Sequence, residues 1–258
     1  MSGDRVTLVT GASQGIGREI SLAFAETGDS LVLAARDEEE LEGTAAAATQ
    51  QGAETLVVPT DITDPDAVSA MAEAAMERFG HVDVLVNNAG VGGPSGQLWE
   101  LDLEEWKQTF AVNVEGVFLA SAAIVPHMIE GQGGSIITIG SITGKRPLWG
   151  RTPYASTKSA LVGLTRTLAI EAGPYGIRVN LISPGFVAGP RLEWVVSAQA
   201  AGRGMTEQAV RQEFERESPL NRLTEPTDVA QAAVFLASDA ASAITGADIN
   251  VNSGAVMY

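Results

Sequence analysis

The stretch Thr10-Gly11-Ala12-Ser13-Gln14-Gly15-Ile16-Gly17 constrains the fold of this chain more than any other segment, because of what flanks it. The apolar run Val6-Thr7-Leu8-Val9 precedes it, and a helical apolar pattern opens directly behind it. A strand that passes through a glycine-rich turn into a helix is the first half of a β-α-β unit, which needs a parallel neighbour and helices to cover the sheet. The rest of the chain keeps the alternation. Short apolar runs at 6–10, 31–35, 55–58, 84–87, 135–140, 178–182 and 248–251 read as strands. Helical patterns fill 16–27, 37–51, 64–79, 102–129, 152–172 and 226–238. With 258 residues, no repeat and no linker-like tract, the chain predicts one α/β domain over 1–258. One segment breaks the rhythm: about 185–220 is helical in pattern and lies between two strand-helix units. An insertion beyond the carboxyl end of a strand sits where open α/β sheets bind ligands, so this segment is expected to be a substrate lid.

The glycine turn has a chemical reading. Glycines let a backbone approach a pyrophosphate, and the free amides of a helix N-terminus attract its charge. Asn87-Asn88-Ala89-Gly90 ends the fourth predicted strand on the same sheet edge; it reads either as an Asn-rich turn or as the lining of an adenosine pocket. A second constellation lies further on. Tyr154 and Lys158 are four apart on a predicted helix and share a face. A Lys ammonium there lowers the pKa of the phenol, otherwise near 10, so that it can exchange a proton with an alcohol near neutral pH. Ser141, thirteen residues before Tyr154 at a strand end, can hold the same substrate oxygen.

Composition excludes several classes. The chain has no cysteine, which rules out disulfides, thiol chemistry and thiolate metal sites. Its two histidines, His81 and His127, have no neighbours at ligand spacing, so no metal site is expected. Asp and Glu number 32 against 16 Lys and Arg, and only Lys107, Lys145 and Lys158 are lysines. A formal charge of −16 repels nucleic acid and anionic membranes, and neither is expected as a partner. With no signal-peptide pattern and no uninterrupted apolar stretch near the ~18 residues of a span, a cytoplasmic protein is expected.

Together the motifs resemble the short-chain dehydrogenase/reductase superfamily, in its single-domain branch of about 250 residues. The resemblance covers essentially the whole length and rests on Thr10 to Gly17, Asp61-Ile62, Asn87 to Gly90, Asn113, Ser141, Tyr154 with Lys158, and Pro184-Gly185, in family order and spacing. It implies a doubly wound, Rossmann-type sheet of seven parallel strands in the order 3-2-1-4-5-6-7. It also implies NAD(P)-dependent interconversion of a secondary alcohol and a ketone. By the resemblance Tyr154 is the general acid or base, Lys158 lowers its pKa and bonds the nicotinamide ribose, and Ser141 polarises the carbonyl. Asn113 holds a relay water. Gly11, Ser13, Gln14, Gly15, Ile16 and Gly17 take the pyrophosphate, and Asp61 and Ile62 the adenine. Asn88, Ala89 and Gly90 border the adenosine, while Pro184, Gly185 and Val187 approach the carboxamide. Where many members carry a threonine contacting that carboxamide, this chain has Gly189, followed by Pro190. The resemblance further implies dimers or tetramers, built by pairing the helices at 102–129 and 152–172.

Cofactor choice turns on the end of the second strand, Ala34-Ala35-Arg36-Asp37. An acid there selects NAD by binding the ribose 2′-OH; here the position holds Ala35, and Arg36 next to it can pair with a 2′-phosphate. NADP(H) is therefore the expected preference, opposed by Asp37 and by Gln14, which stands where many NADP enzymes place a second base. For the substrate pocket the candidates are Arg146, Trp149, Phe186 and Trp194, with Arg146 and Arg151 both readable as anchors for a carboxylate, sulfonate or phosphate, or as a solvated loop. Three other functions share some of the motifs. A 3-oxoacyl-acyl-carrier-protein reductase shares all of them but docks an acidic partner, which a −16 surface repels. Extended-branch epimerases use another glycine spacing and a longer chain. A non-catalytic NAD(P)-sensing protein would not need the four catalytic positions that are filled here.

Overall fold

The computed structural model describes residues 5–258. Seven strands form one parallel sheet in the order β3-β2-β1-β4-β5-β6-β7. They are β1 (Val6–Thr10), β2 (Ser30–Ala35), β3 (Thr55–Pro59), β4 (Val84–Asn87), β5 (Gly134–Ile139), β6 (Ile177–Pro184) and β7 (Asp248–Val251). The expected order and all seven strands are present, with ends moved by one or two residues. The helices between them are α1 (Gly15–Glu26), α2 (Glu38–Gln50), α3 (Pro65–Phe79), α4 (Leu103–Phe110), α5 (Gly116–Glu130) and α6 (Thr152–Ala172), with α7 (Pro190–Arg203), α8 (Glu207–Arg216) and α9 (Pro226–Ala237) beyond β6.

Alternation along the strands divides the core between two faces. Val9, Leu31 and Leu33 point to one side, where they pack with Ile20 and Phe24 of α1, Leu41 of α2 and Val229 of α9. Leu8, Val32 and Leu85 point to the other, against Met71 of α3 and Ile124 of α5. Both faces are covered, so the central strands read as continuous apolar runs rather than alternating ones. Helix starts follow the local signals. Asp37 accepts from the Glu40 amide at 3.0 Å to begin α2, and Asp64 accepts from Asp66 at 2.9 Å with Pro65 in the first turn of α3.

Two features depart from the expected pattern. The helix anticipated over 102–129 is not uniform, because a π-helical turn, Ala111–Glu115, joins α4 to α5. As a whole, Leu103–Glu130 is long and apolar enough to cross a membrane by length and composition, although no uninterrupted apolar run in the sequence approaches a span. Only 39% of its apolar window is buried within the chain. The segment after β6, in turn, carries a small core of its own: Leu192 and Val196 of α7 and Val210 and Phe214 of α8 pack with Ile142 and Phe186. The Phe186 and Phe214 rings stack with centroids 3.8 Å apart.

Candidate active site

β1 lies at the switch between the two halves of the sheet, and a cleft of about 680 Å³ opens at the carboxyl ends of the strands around it. The turn from β1 into α1 forms one wall, with Gly11, Ser13, Gln14, Gly15, Ile16 and Gly17 all lining it. Gly15 sits at φ +55°, a left-handed conformation that suits glycine, and a Cβ on Gly17 would lie 2.0 Å from the Gly11 carbonyl oxygen. Only glycine permits a turn this tight. Asn88 fastens it to the end of β4, its Nδ2 donating to the carbonyls of Thr10 and Gly11 at 3.0 Å each. Asn87 points the other way and donates to Ser121 Oγ on α5. Arg36, Asp61 and Ile62 line the β2–β3 end of the cleft, and Ala89 and Gly90 its floor. Asp61 accepts from both the amide and the hydroxyl of Thr63, which with nearby Arg36 hold its carboxyl below the usual range against a smaller opposing effect of burial.

The other end of the cleft brings Ser141, Tyr154 and Lys158 together with Pro184, Gly185, Phe186 and Val187. Ser141 follows β5 and caps a short 3-10 turn, its Oγ accepting from the Thr143 amide at 3.1 Å. Tyr154 and Lys158 stand one turn apart in α6. Lys158 is 5% exposed and donates to the Ile139 carbonyl at 2.8 Å, with its Nζ 5.7 Å from the Tyr154 ring centroid. Burial by itself would raise the Tyr154 phenol. The Lys158 ammonium, Arg191, a hydrogen bond with Ser141, and Arg151 together outweigh burial and lower it from its ordinary value near 10. Burial lowers Lys158 as well, against the pull of Tyr154. A phenol of lowered pKa, a hydroxyl beside it and a buried ammonium behind it can pass a proton to a carbonyl oxygen or take one from an alcohol.

Asn113 does not line the cleft. It lies fully buried in the π-helical turn, where its Oδ1 accepts from the Val91 amide at 2.8 Å and its Nδ2 donates to the Val91 carbonyl and to Thr157 Oγ1. Thr157 in turn donates to the Tyr154 carbonyl. The carboxamide therefore ties the chain after β4 to the first turn of α6. This is the local reason for an Asn in a helix interior that helix propensity leaves unexplained.

The substrate-pocket candidates divide. Phe186 lines the cleft. Arg146 lies outside it, paired with Glu217 at 2.7 Å, its guanidinium 5.9 Å from the Phe186 ring centroid. Trp149 also lies outside: its ring packs against Gly202 of α7, and its carbonyl accepts from Gln199 Nε2 at 2.7 Å. Trp194 stacks on Arg151 rather than lining the cleft itself. Arg151 is in the cleft, as is Arg191, which donates to the Gly90 carbonyl at 2.7 Å. The sequence held a signal for Arg151 over its neighbour Arg146: it immediately precedes a long helix, where a cation is electrostatically misplaced. Nothing in the sequence marked Arg191.

A family model described as enoyl-(acyl carrier protein) reductase matches residues 11–256. Among curated proteins, the short-chain dehydrogenase/reductase AstE of Aspergillus oryzae is 39% identical over 97% of this chain and 94% of its own length. Among solved structures, NAD⁺-bound xylitol dehydrogenase superposes with a TM-score of 0.95 at 29% identity, over 98% of this chain and 99% of that one. A variant of actinorhodin polyketide ketoreductase with NADPH gives a TM-score of 0.95 at 32% identity, over the full length of both.

Proposed function

Because the chain belongs to the short-chain dehydrogenase/reductase family and is an NAD(P)-dependent oxidoreductase acting on CH–OH groups, we propose that it interconverts a secondary alcohol and its ketone with Tyr154 as the proton-transfer residue. The observation that carries this reading is the meeting of Ser141, Tyr154 and Lys158 at one end of the cleft, with Lys158 one helical turn from Tyr154 and its ammonium favouring a lowered phenol pKa. The residues also fit a dinucleotide. Gly11 leaves no room for a side chain against Ala89, and Gly17 none against Gly11, so bare backbone faces the cleft where a pyrophosphate would lie. When bound, the nicotinamide supplies or accepts the hydride.

In reduction the Tyr154 hydroxyl gives its proton to the carbonyl oxygen, while the Ser141 hydroxyl donates a hydrogen bond to the same oxygen and stabilises its developing charge. In oxidation the Tyr154 phenolate takes the alcohol proton. Lys158 favours the phenolate, and the Ile139 carbonyl orients its ammonium. Asn113 acts through Val91 and Thr157 as a positioning residue rather than by contact. Phe186 and Val187, between β6 and the proposed lid of α7 and α8, line the cleft at the same end as Tyr154. Tyr154→Phe is expected to leave dinucleotide affinity within a few-fold while cutting kcat by about 10²–10⁴; retention of more than a tenth of the rate in a stopped-flow assay would remove Tyr154 from this role.

NADP(H) is the proposed preference. Arg36 lines the cleft, and Asp37, the acid beside it, is engaged in capping α2. A guanidinium there matches a 2′-phosphate. Arg36→Ala is then expected to lower kcat/KM for NADP at least ten-fold more than for NAD; equal losses would reverse the assignment. The protein is proposed to be a cytoplasmic homotetramer or homodimer acting on a small molecule. An acyl carrier protein substrate is the weaker alternative, since a chain of charge −16 repels an acidic carrier.

A further inference from the structure

Arg151 sits where stability alone would not keep an arginine. It is 2% exposed, and it holds the N-cap of α6, a 21-residue helix whose dipole presents its positive end there. Arg5, Arg146, Arg203 and Arg222 each hold a carboxylate. Among the described residues no Asp or Glu acts on Arg151, whose electrostatic neighbours are Tyr154 and a second guanidinium, Arg191. Its Nη2 donates to the Gly92 carbonyl at 2.7 Å, but Nη1 is buried with no hydrogen-bond partner. The guanidinium lies close to two rings, 5.0 Å from the Tyr154 centroid and 4.9 Å from that of Trp194 on α7.

The surroundings have one sign. Arg151, Lys158 and Arg191 line the cleft around Tyr154, whereas the carboxylates that line it, Asp37, Glu40 and Asp61, belong to its β2–β3 end. In a chain with twice as many acids as bases, the reacting end of the cleft is cationic.

We infer that the substrate is a small oxo acid or the matching hydroxy acid, and that Arg151, assisted by Arg191, binds its carboxylate. The inference rests on the carbonyl-reduction reading above and adds the class of molecule reduced. A carboxylate gives Nη1 the acceptor it lacks, and both the guanidinium and the N-terminus of α6 favour it. Because the guanidinium carbon lies only 5.0 Å from the Tyr154 ring centroid, the carboxylate and the reacting carbon are separated by a few bonds. Trp194, carried on α7, lies against the guanidinium with its ring centroid 4.9 Å away.

The test compares matched acids and amides: 2-oxopentanoate and 4-oxopentanoate against 2-oxopentanamide and 4-oxopentanamide, with each dinucleotide, in the wild type and in Arg151→Met and Arg151→Lys. Any loss common to acid and amide reports on Tyr154 or on folding, so the readout is the acid-to-amide ratio of kcat/KM. In the wild type at least one of the two pairs is expected to show a ratio above about 20, carried mainly by KM. Arg151→Met should bring that ratio near unity and Arg151→Lys should restore part of it. A wild-type ratio near unity for both pairs, or a ratio unchanged in Arg151→Met, overturns the proposal. So does a loss of dinucleotide affinity in Arg151→Met as large as the loss for the acid, which would assign the guanidinium to the cofactor phosphates. Tryptophan fluorescence of the dinucleotide-loaded protein, titrated with pentanoate and with pentanamide, separates the two readings if no ketone turns over. Selective pentanoate binding lost in Arg151→Met would then keep the anion site while the carbonyl-reduction reading fell, and equal binding of both would sink the anion site itself.

Discussion

Lys158 reaches the Ile139 carbonyl from the turn of α6 that follows Tyr154, and its charge is the largest single influence drawing the Tyr154 phenol down against burial. The sign of the pH dependence follows. Oxidation needs phenolate, so kcat/KM for the alcohol should rise with pH and level off above the lowered phenol pKa; reduction needs phenol and should fall over the same range. Removing the ammonium with Lys158→Met should move both limbs to higher pH. An unmoved limb in pH–rate profiles would show that another group titrates. Gly17 allows an equally direct check. A methyl at this position would lie 2.0 Å from the Gly11 oxygen and 2.4 Å from Asn88 Nδ2, so Gly17→Ala forces the turn apart. The expected cost is about 1–3 kcal/mol, with a fall in Tm of roughly 2–4 °C per kcal/mol and weaker dinucleotide binding by calorimetry. Both residues were legible in the sequence, because their demands are local: a spacing of four on a helix, and a glycine in a tight turn. Arg146 and Trp149 were not, because whether a loop side chain faces the cleft or the segment after β6 is decided by contacts such as Glu217 and Gly202, far away in the chain.

At the scale of elements, the π-helical turn Ala111–Glu115 is the departure with the most structural effect. Widening the helix by one residue turns Asn113 inward, and its carboxamide there satisfies both polar groups of Val91 and reaches Thr157. Asn113→Ala leaves those half-buried groups unpaired, at up to roughly 1–3 kcal/mol for each one orphaned. The expected result is a lower Tm together with a reduced kcat and little change in dinucleotide affinity. A variant as stable as the wild type would show that the turn does not depend on this side chain. Apolar periodicity located this helix as one continuous element, since a single extra residue shifts the pattern by less than the width of an apolar face. The strands were read more sharply. The central ones are short, bounded by polar or glycine residues and buried on both sides, as in β1, whose five residues are all buried. The helices of the segment after β6 also followed their pattern, but their packing onto Phe186 through Phe214 could not be read from periodicity.

For the whole molecule, the uncovered surface of Leu103–Glu130 matters most. Phe118 is 60% exposed on α5, and Ile170 projects from α6. Beside Phe118, the exposed Ala122 and half-buried Ala123 leave room for close helix approach. We predict assembly through these two helices. Light scattering at micromolar concentration should give a dimer or tetramer, and Phe118→Glu should shift it toward the single chain. With a charge of −16 on each subunit, added salt should favour assembly by screening repulsion. A wild type that is monomeric at all salt concentrations would contradict the prediction.

The strand order also governs how the chain must be made. β1 emerges before the other six strands of the sheet during synthesis, yet it ends between β2 and β4. β2 can pair with it early, through Val6 to Thr10. Its other edge has no neighbour until β4 arrives to align Val84 with Thr7. From Thr10 to Val84 is about 74 residues, on the order of 4–15 s of translation at ~5–20 residues/s. For that interval the nascent chain carries a strand that is buried along its whole length in the finished fold but has an open edge, a template for pairing with other chains. The most exposed moment of this protein therefore comes during its synthesis, and chaperone capture of ribosome-bound chains should peak before residue 84 is released.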